Sequence, residues 1–176
     1  MALARLLRVV LDALYFVAGA LAALSLLGVF VLIVAQMVAR WGGVSLRGST
    51  DYAGYLMAAS SFLAFAAALN RGSHIRVTMI HEMLPRLHRP LEIWALAVGC
   101  AISGYIAWYA CRAVYWSWKL GDLSQGLDAT PLWIPQMSMA VGAVLFAVAF
   151  LDNFVRYLVT GTSGIGSGAE DTVQVE

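Results

Sequence analysis

The sequence predicts an all-α integral membrane protein with four transmembrane helices and a short interfacial segment between helices 2 and 3. Of its 176 residues, 61% are hydrophobic and only 12% are charged, about half of the ~25% charged share in soluble domains. The apolar residues also fall into four runs long enough to cross a hydrocarbon core of ~30 Å. The net charge of +1 gives no field that would attract nucleic acid, so no nucleic-acid partner is expected.

The four runs place the spans at about residues 9–39, 52–69, 91–118 and 131–158. The first run is uncharged from Ala13 to Ala39, which makes about 40 Å of helix, so this span should tilt or protrude. Its apolar stretch is about twice as long as that of a signal peptide, which favours a retained span. Residues 1–160 are thus expected to form the membrane domain, and the Gly/Ser-rich, then acidic residues 161–176 a disordered cytoplasmic tail.

Local signals mark where two of the helices should start. In "GSTD" (48–51), Ser49 or Thr50 should provide the N-cap of the second helix, with Asp51 in its first turn. Pro131 and Pro135 both fall near the start of the fourth helix, where proline is tolerated.

The distribution of Lys and Arg predicts the orientation in the membrane. Seven of these residues belong to one side of the membrane and three to the other, so both termini and the connection near residues 70–90 should be cytoplasmic. The seven are Arg5, Arg8, Arg71, Arg76, Arg86, Arg89 and Arg156, and the three are Arg40, Arg47 and Lys119.

An aromatic belt is predicted on the non-cytoplasmic side. It includes Trp41, Tyr105, Trp108, Tyr109, Tyr115, Trp116, Trp118 and Trp133. Arg112 lies within this belt, where its stem can carry the guanidinium to the lipid head groups. An anion-binding role for Arg112 is the alternative interpretation.

The middle of every span lacks an ionisable residue, although intramembrane charges usually mark function. Polar groups within the spans are few, such as Ser25, Gln36 and Ser103. There is also no Gly/Pro-broken helix that would present carbonyls to Na⁺. We therefore expect a chain that is not an enzyme, binds no cofactor and does not transport a substrate by itself.

The two cysteines, Cys100 and Cys111, are expected to be small buried residues. Eleven residues of helix separate their Cα atoms by about 16 Å, whereas a disulfide requires about 4.4–6.8 Å.

Three histidines, His74, His81 and His88, recur every seven residues in the connection between the second and third spans. Pro85 interrupts any helix that would align them, and a membrane haem takes histidines from facing helices. Solvated or interfacial histidines are therefore favoured over metal or haem ligands. Residues 78–84 have the spacing of a short amphipathic helix at the interface, with an irregular loop as the alternative.

Small residues recur every fourth position along the second span, at Ser60, Ala64 and Ala68. Such a stripe allows a second helix to approach closely. The spacing does not say whether that helix belongs to this chain or to another protein.

Two stretches contain motifs: "ALNRGSHIRVTMIHEMLP" (68–85), with a Gly–x–His–Ile–x–Val core followed by Leu-Pro, and "SQGLDATPLWIPQ" (124–136), which leads into the last span. Both resemble motifs of the small integral membrane subunit (the DctQ-like, Q-type subunit) of tripartite ATP-independent periplasmic (TRAP) transporters. The candidate motif or partner-contact residues on this basis are Asp51, Gly72, His74, Ile75, Arg76, Pro85, Trp133, Pro135 and Gln136.

The resemblance implies a bacterial inner-membrane protein with two protein partners, a large permease subunit and a periplasmic substrate-binding protein. The small subunit would support Na⁺-coupled uptake of an organic acid, such as a carboxylate. The family usually has an acidic pair before its second span, where this chain has only Asp51. The alternatives are the membrane anchor of a respiratory oxidoreductase and a small exporter, which would need an intramembrane Glu.

Overall fold

A computed structural model of the protein describes residues 2–46, 48–70, 88–126 and 129–160. These described residues form four helices: α1 (Ala2–Trp41), α2 (Ser49–Asn70), α3 (His88–Leu120) and α4 (Trp133–Thr160). Each helix is long and apolar enough to cross a membrane, which confirms the predicted fold class. The proposed interfacial helix at 78–84 and the tail at 161–176 lie outside the described residues.

The beginnings of α2 and α4 differ in detail from the prediction. Gly48, rather than Ser49 or Thr50, is the N-cap of α2, because its carbonyl accepts the N–H of Tyr52 at 3.3 Å. At α4, Pro135 lies in the first turn, where its missing N–H costs nothing. Pro131 comes before the helix and forms an isolated antiparallel bridge with Leu123.

The helices form an open row in the order α1, α2, α4, α3. The main contacts join α1 to α2, α2 to α4, and α4 to α3, with only sparse contacts between other pairs of the described helices. Between α3 and α4, a stripe at helical spacing is buried along α3: Leu96, Ser103, Ala107 and Ser117. This arrangement leaves both broad faces of the row without a covering layer.

At one end of the row, which we call the closed end, a core cluster includes side chains from all four helices. This core cluster consists of Tyr15, Ala66, Leu69, Leu96, Ala149 and Tyr157. A second cluster of Ala18, Ala22 and Leu63 continues between α1 and α2. Towards the other end, which carries the connections 42–48 and 121–132, a groove opens between α1 and α4.

Little of the apolar surface is buried within the chain. In the most apolar stretch of each span, only 11–28% of the residues are buried. In water such a surface would drive aggregation, whereas lipid tails or another membrane protein can cover it. The fold is therefore one that needs a membrane.

Small polar groups inside the spans are largely satisfied by their own helices. The hydroxyls of Ser25, Ser61 and Ser103 donate to backbone carbonyls three or four residues earlier. The expectation for the cysteines was wrong in part: Cys100 is half-buried but Cys111 is exposed, and both are free thiols.

Candidate functional site

The connection between α3 and α4 folds back on itself at the open end of the row. The N–H of Ser124 donates to the carbonyl of Thr130 at 2.8 Å, and the N–H of Leu132 donates to the carbonyl of Asp122 at 3.0 Å. With the bridge between Leu123 and Pro131, these bonds give residues 121–126 and 129–132 a defined shape.

This connection packs against the first two turns of α2. Tyr55 donates its hydroxyl proton to Ser124 Oγ at 2.5 Å, and the hydroxyls of Tyr52 and Thr130 lie 3.4 Å apart. The Asp51 carboxylate lies so close to Gly126 that a Cβ there would collide with it. We call this surface the cap: Asp51, Tyr52, Tyr55, Ser124, Gly126 and Thr130.

A second set of hydrogen bonds ties α1 to the start of α2 at the same end. Gln36 donates from Nε2 to Ser49 Oγ at 2.7 Å, and the Ser49 hydroxyl donates to the carbonyl of Leu46 at 2.7 Å. These residues line a hollow of about 210 Å³ beside Arg40. The hydroxyl expected to cap α2 therefore links two helices instead.

The entry into α4 brings the predicted residues Trp133, Pro135 and Gln136 close to the cap. Gln136 donates its backbone N–H to the carbonyl of Leu132 at 3.2 Å. Its side-chain Oε1 is buried and accepts no hydrogen bond within the described part of the chain. An unsatisfied buried acceptor costs about 1–3 kcal/mol, so this atom has a strong preference for a donor.

The groove between α1 and α4 lies directly beside the cap. It has a volume of about 660 Å³, and α2 forms its floor. The lining is mostly aliphatic: Leu24, Leu27, Gly28, Val31, Leu32, Tyr52, Tyr55, Leu56, Thr130, Ile134 and Pro135. Asp51 and Pro135, both predicted from the sequence, thus belong to adjacent parts of one end of the molecule.

The small-residue stripe of α2 lines a different groove, of about 320 Å³, shared with α1. Ser60, Ala64 and Ala68 are half-buried there. The α1 residues along this groove are also mostly small: Gly19, Ala22, Ala23 and Leu26. The stripe therefore faces α1 in part and leaves a narrow channel that no other described residue fills.

The closed end of the row contains buried polar residues that the sequence reasoning missed. Glu92 is 8% exposed in the first turns of α3, and Asn153 is 4% exposed, donating from Nδ2 to the carbonyl of Ala149 at 2.8 Å. The buried Tyr15 hydroxyl has no hydrogen-bond partner among the residues described. The sequence pattern hides Glu92 because this residue directly precedes the uncharged run that begins at Ile93. The four-residue spacing between Glu92 and buried Leu96 nevertheless places Glu92 on the packed face of the helix.

The remaining predicted motif residues belong to the connection between α2 and α3. Gly72, His74, Ile75, Arg76 and Pro85 lie outside the described residues. Within the ranges that are described, no three His, Cys, Asp or Glu side chains form a group that could hold a metal ion. The sequence-based interpretation of the histidines thus stays a prediction.

The comparison with protein families identifies the chain. Residues 29–160, three quarters of its length, match the family of the DctQ component of tripartite ATP-independent periplasmic transporters. No match is found among curated proteins. The matched region runs from the middle of α1 to the end of α4 and includes the whole cap. With four apolar helices in this family, the chain is a multi-pass inner-membrane protein, and it belongs to the DctQ family of TRAP transporter components.

Proposed function

We propose that this chain is the small membrane subunit that supports a large permease subunit in Na⁺-coupled, binding-protein-dependent uptake of an organic acid, with a carboxylate as the substrate class. Membership of the DctQ family supports a role in a three-part transporter. It does not favour the alternative, an anchor of a respiratory oxidoreductase. The substrate itself would be selected by the binding protein and the large subunit.

The observation that carries this proposal is the open row of helices. A closed four-helix bundle buries its own apolar faces, but here α1 and α3 lie at the two edges and both faces of the row stay uncovered. Membrane helices associate through close packing and interhelical hydrogen bonds. A broad, largely unburied row is therefore suited to packing against a larger membrane protein.

The distribution of polar groups in the spans supports a non-catalytic, non-transporting role. The described carboxylates and cations of the four helices lie towards helix ends, such as Asp12, Arg40 and Asp152. Mid-span hydroxyls bond to their own backbone. No group at mid-depth in the described helices would exchange protons or coordinate Na⁺, so the ion coupling is assigned to the large subunit.

The cap is proposed to face the periplasm and to contribute to docking of the loaded binding protein. The excess of Lys and Arg on the opposite side of the membrane supports this orientation. The cap is folded by Tyr55, Ser124 and Gly126, so it would present a preformed surface. Asp51 would act by holding Gly126 in place.

Reconstitution in vesicles tests the proposed function. Vesicles containing both membrane subunits, with the matched binding protein and an inward Na⁺ gradient, are expected to take up the organic acid. Omitting this chain should abolish uptake, and this chain alone should give none. Replacing Na⁺ with K⁺ is the control for ion coupling. Uptake by the large subunit alone at the full rate, or by this chain alone, would contradict the proposal.

Cysteine labelling tests the proposed orientation. Cysteines placed at the exposed positions Ser45 and Gln125 should react with an impermeant thiol reagent added outside intact cells. Cysteines at Ser73 and Ser167 should react only after the cells are opened. The background from Cys100 and Cys111 is removed by replacing both with Ala. Labelling of position 73 from outside would reverse the orientation.

A further inference from the structure

The free edge of α3 carries two cations within a membrane-spanning helix. Arg112 and Lys119 are both exposed and lie seven residues apart, which places them on nearly the same face, about 10 Å apart along the axis. The buried stripe that packs against α4, including Ser103 and Ala107, lies on the opposite side of the helix. The two cations therefore point away from the row.

Neither cation has an acidic partner in the described part of the chain. Arg112 forms no ion pair or hydrogen bond there, and Lys119 lies instead over the rings of Trp116 and Tyr115, at 5.2 and 5.9 Å. No Asp or Glu occurs from Ile93 to Leu120. The nearest carboxylate along the chain, Asp122, follows the helix and makes no ion pair with Lys119.

The position of Arg112 along α3 is that of a membrane interface. Exposed Trp94, in the second turn of the helix, fits the opposite interface, and eighteen residues, or about 27 Å, separate it from Arg112. This distance is close to the ~30 Å thickness of the hydrocarbon core. Trp108 and Trp116, exposed by 69% and 42%, lie one turn on either side of Arg112, as expected of aromatic residues at head-group level.

An unpaired guanidinium at this depth can reach an anion, because the phospholipid phosphates of the bilayer lie at the same level. We propose that Arg112 and Lys119, framed by Trp108, Tyr115 and Trp116, bind the phosphate of an anionic phospholipid at the membrane face where α3 ends. Guanidinium binds phosphate in a bidentate manner, and the ammonium held over two rings supplies the second charge. The aromatic side chains flank the glycerol and upper acyl region of the same lipid.

Native mass spectrometry of the full-length chain in detergent tests this site. Titration with phosphatidylglycerol is expected to give a first-lipid affinity several-fold higher than titration with zwitterionic phosphatidylcholine. Arg112→Gln should weaken phosphatidylglycerol binding about fivefold, the effect of one cation near a charged surface. Arg112→Lys keeps the charge but loses the two parallel N–H donors, so its affinity should fall between those of wild type and Arg112→Gln. The matched control is Arg40→Gln, which removes an exposed arginine from the same end of the row and should leave the affinity unchanged.

Several results would overturn the proposal. The first is that wild type and Arg112→Gln bind phosphatidylglycerol with equal affinity. The second is that Arg40→Gln weakens binding as much as Arg112→Gln does. The third is that millimolar inorganic phosphate displaces the lipid. Should Arg112→Gln fail to fold, Lys119→Gln decides the question, because unchanged affinity in that variant contradicts the site. The measurement needs no partner protein, so its failure leaves the subunit assignment untouched.

Discussion

Gly142 brings the backbone of α4 against the backbone of α2. A Cβ at this position would lie 2.6 Å from the carbonyl carbon of Phe62 and 2.7 Å from its oxygen. Backbone atoms cannot move aside as a flexible side chain can, so any larger residue must separate the two helices. Gly104 in α3 offers the opposite case, because a Cβ there would meet no atom within 4 Å.

We therefore predict that Gly142→Ala destabilises the protein by about 1–3 kcal/mol through overpacking. Gly104→Ala should be neutral or stabilising, since Ala is favoured over Gly in a helix by about 1 kcal/mol. Thermal unfolding of both variants in the same detergent, followed by circular dichroism, measures the difference. Equal melting temperatures for the two variants would show that α2 and α4 do not approach this closely.

The cap is an element held together by side-chain hydrogen bonds across about 70 residues of chain. Tyr55 reaches Ser124 Oγ, and Ser124 Oγ in turn accepts the N–H of Gly126 at 3.2 Å. The hydroxyl of Ser124 thus links α2 to the turn of the connection. If this link fixes the connection, removing one hydroxyl should loosen residues 121–132 without unfolding the helices.

Tyr55→Phe is predicted to increase amide hydrogen exchange in residues 121–132 about fivefold. This corresponds to the loss of one hydrogen bond worth about 1 kcal/mol. Tyr105→Phe is the matched control, because the exposed Tyr105 hydroxyl makes no hydrogen bond with any residue that the structure describes. Unchanged exchange in Tyr55→Phe, or an equal change in the control, would mean that the connection is held by its backbone bonds alone.

The four spans could be predicted from the sequence, but the contacts and the N-cap at the ends of the helices could not, for physical reasons. An uncharged run of 18 or more residues has few alternatives to a membrane helix, so the four spans follow from composition. The contact between Asp51 and Gly126 has no local signature, because it joins two turns far apart in sequence. The N-cap at Gly48 was missed because Ser49, a good capping residue, is bonded instead to Gln36 of α1.

At the scale of the whole molecule, the order of helices in the row could not be inferred from the sequence. Nearly every face of these helices is apolar, and lipid tails are as apolar as leucine, so hydrophobicity does not distinguish protein-facing from lipid-facing sides. Which helices lie next to each other is set instead by close approaches, at Gly142 and at the buried serines of α3. These depend on shape, which one sequence does not reveal.

The open row leads to a prediction for the assembled transporter. A chain that buries so little of its apolar surface should gain stability when a partner binds its folded state. At a partner concentration 100 times the dissociation constant, mass action contributes about 2.7 kcal/mol. We expect the melting temperature of this chain in detergent to rise by several degrees when the large permease subunit is added at that excess, and not to rise with an unrelated polytopic membrane protein.

Ala64→Leu, which fills the narrow channel between α1 and α2, separates two cases. If the partner inserts into this channel, the variant should lose the partner-induced rise while keeping its own melting temperature. If the channel is only an internal seam, the variant should melt lower by itself and still respond to the partner. The absence of any partner-induced rise in the unmodified chain would contradict the role of the row as a packing surface.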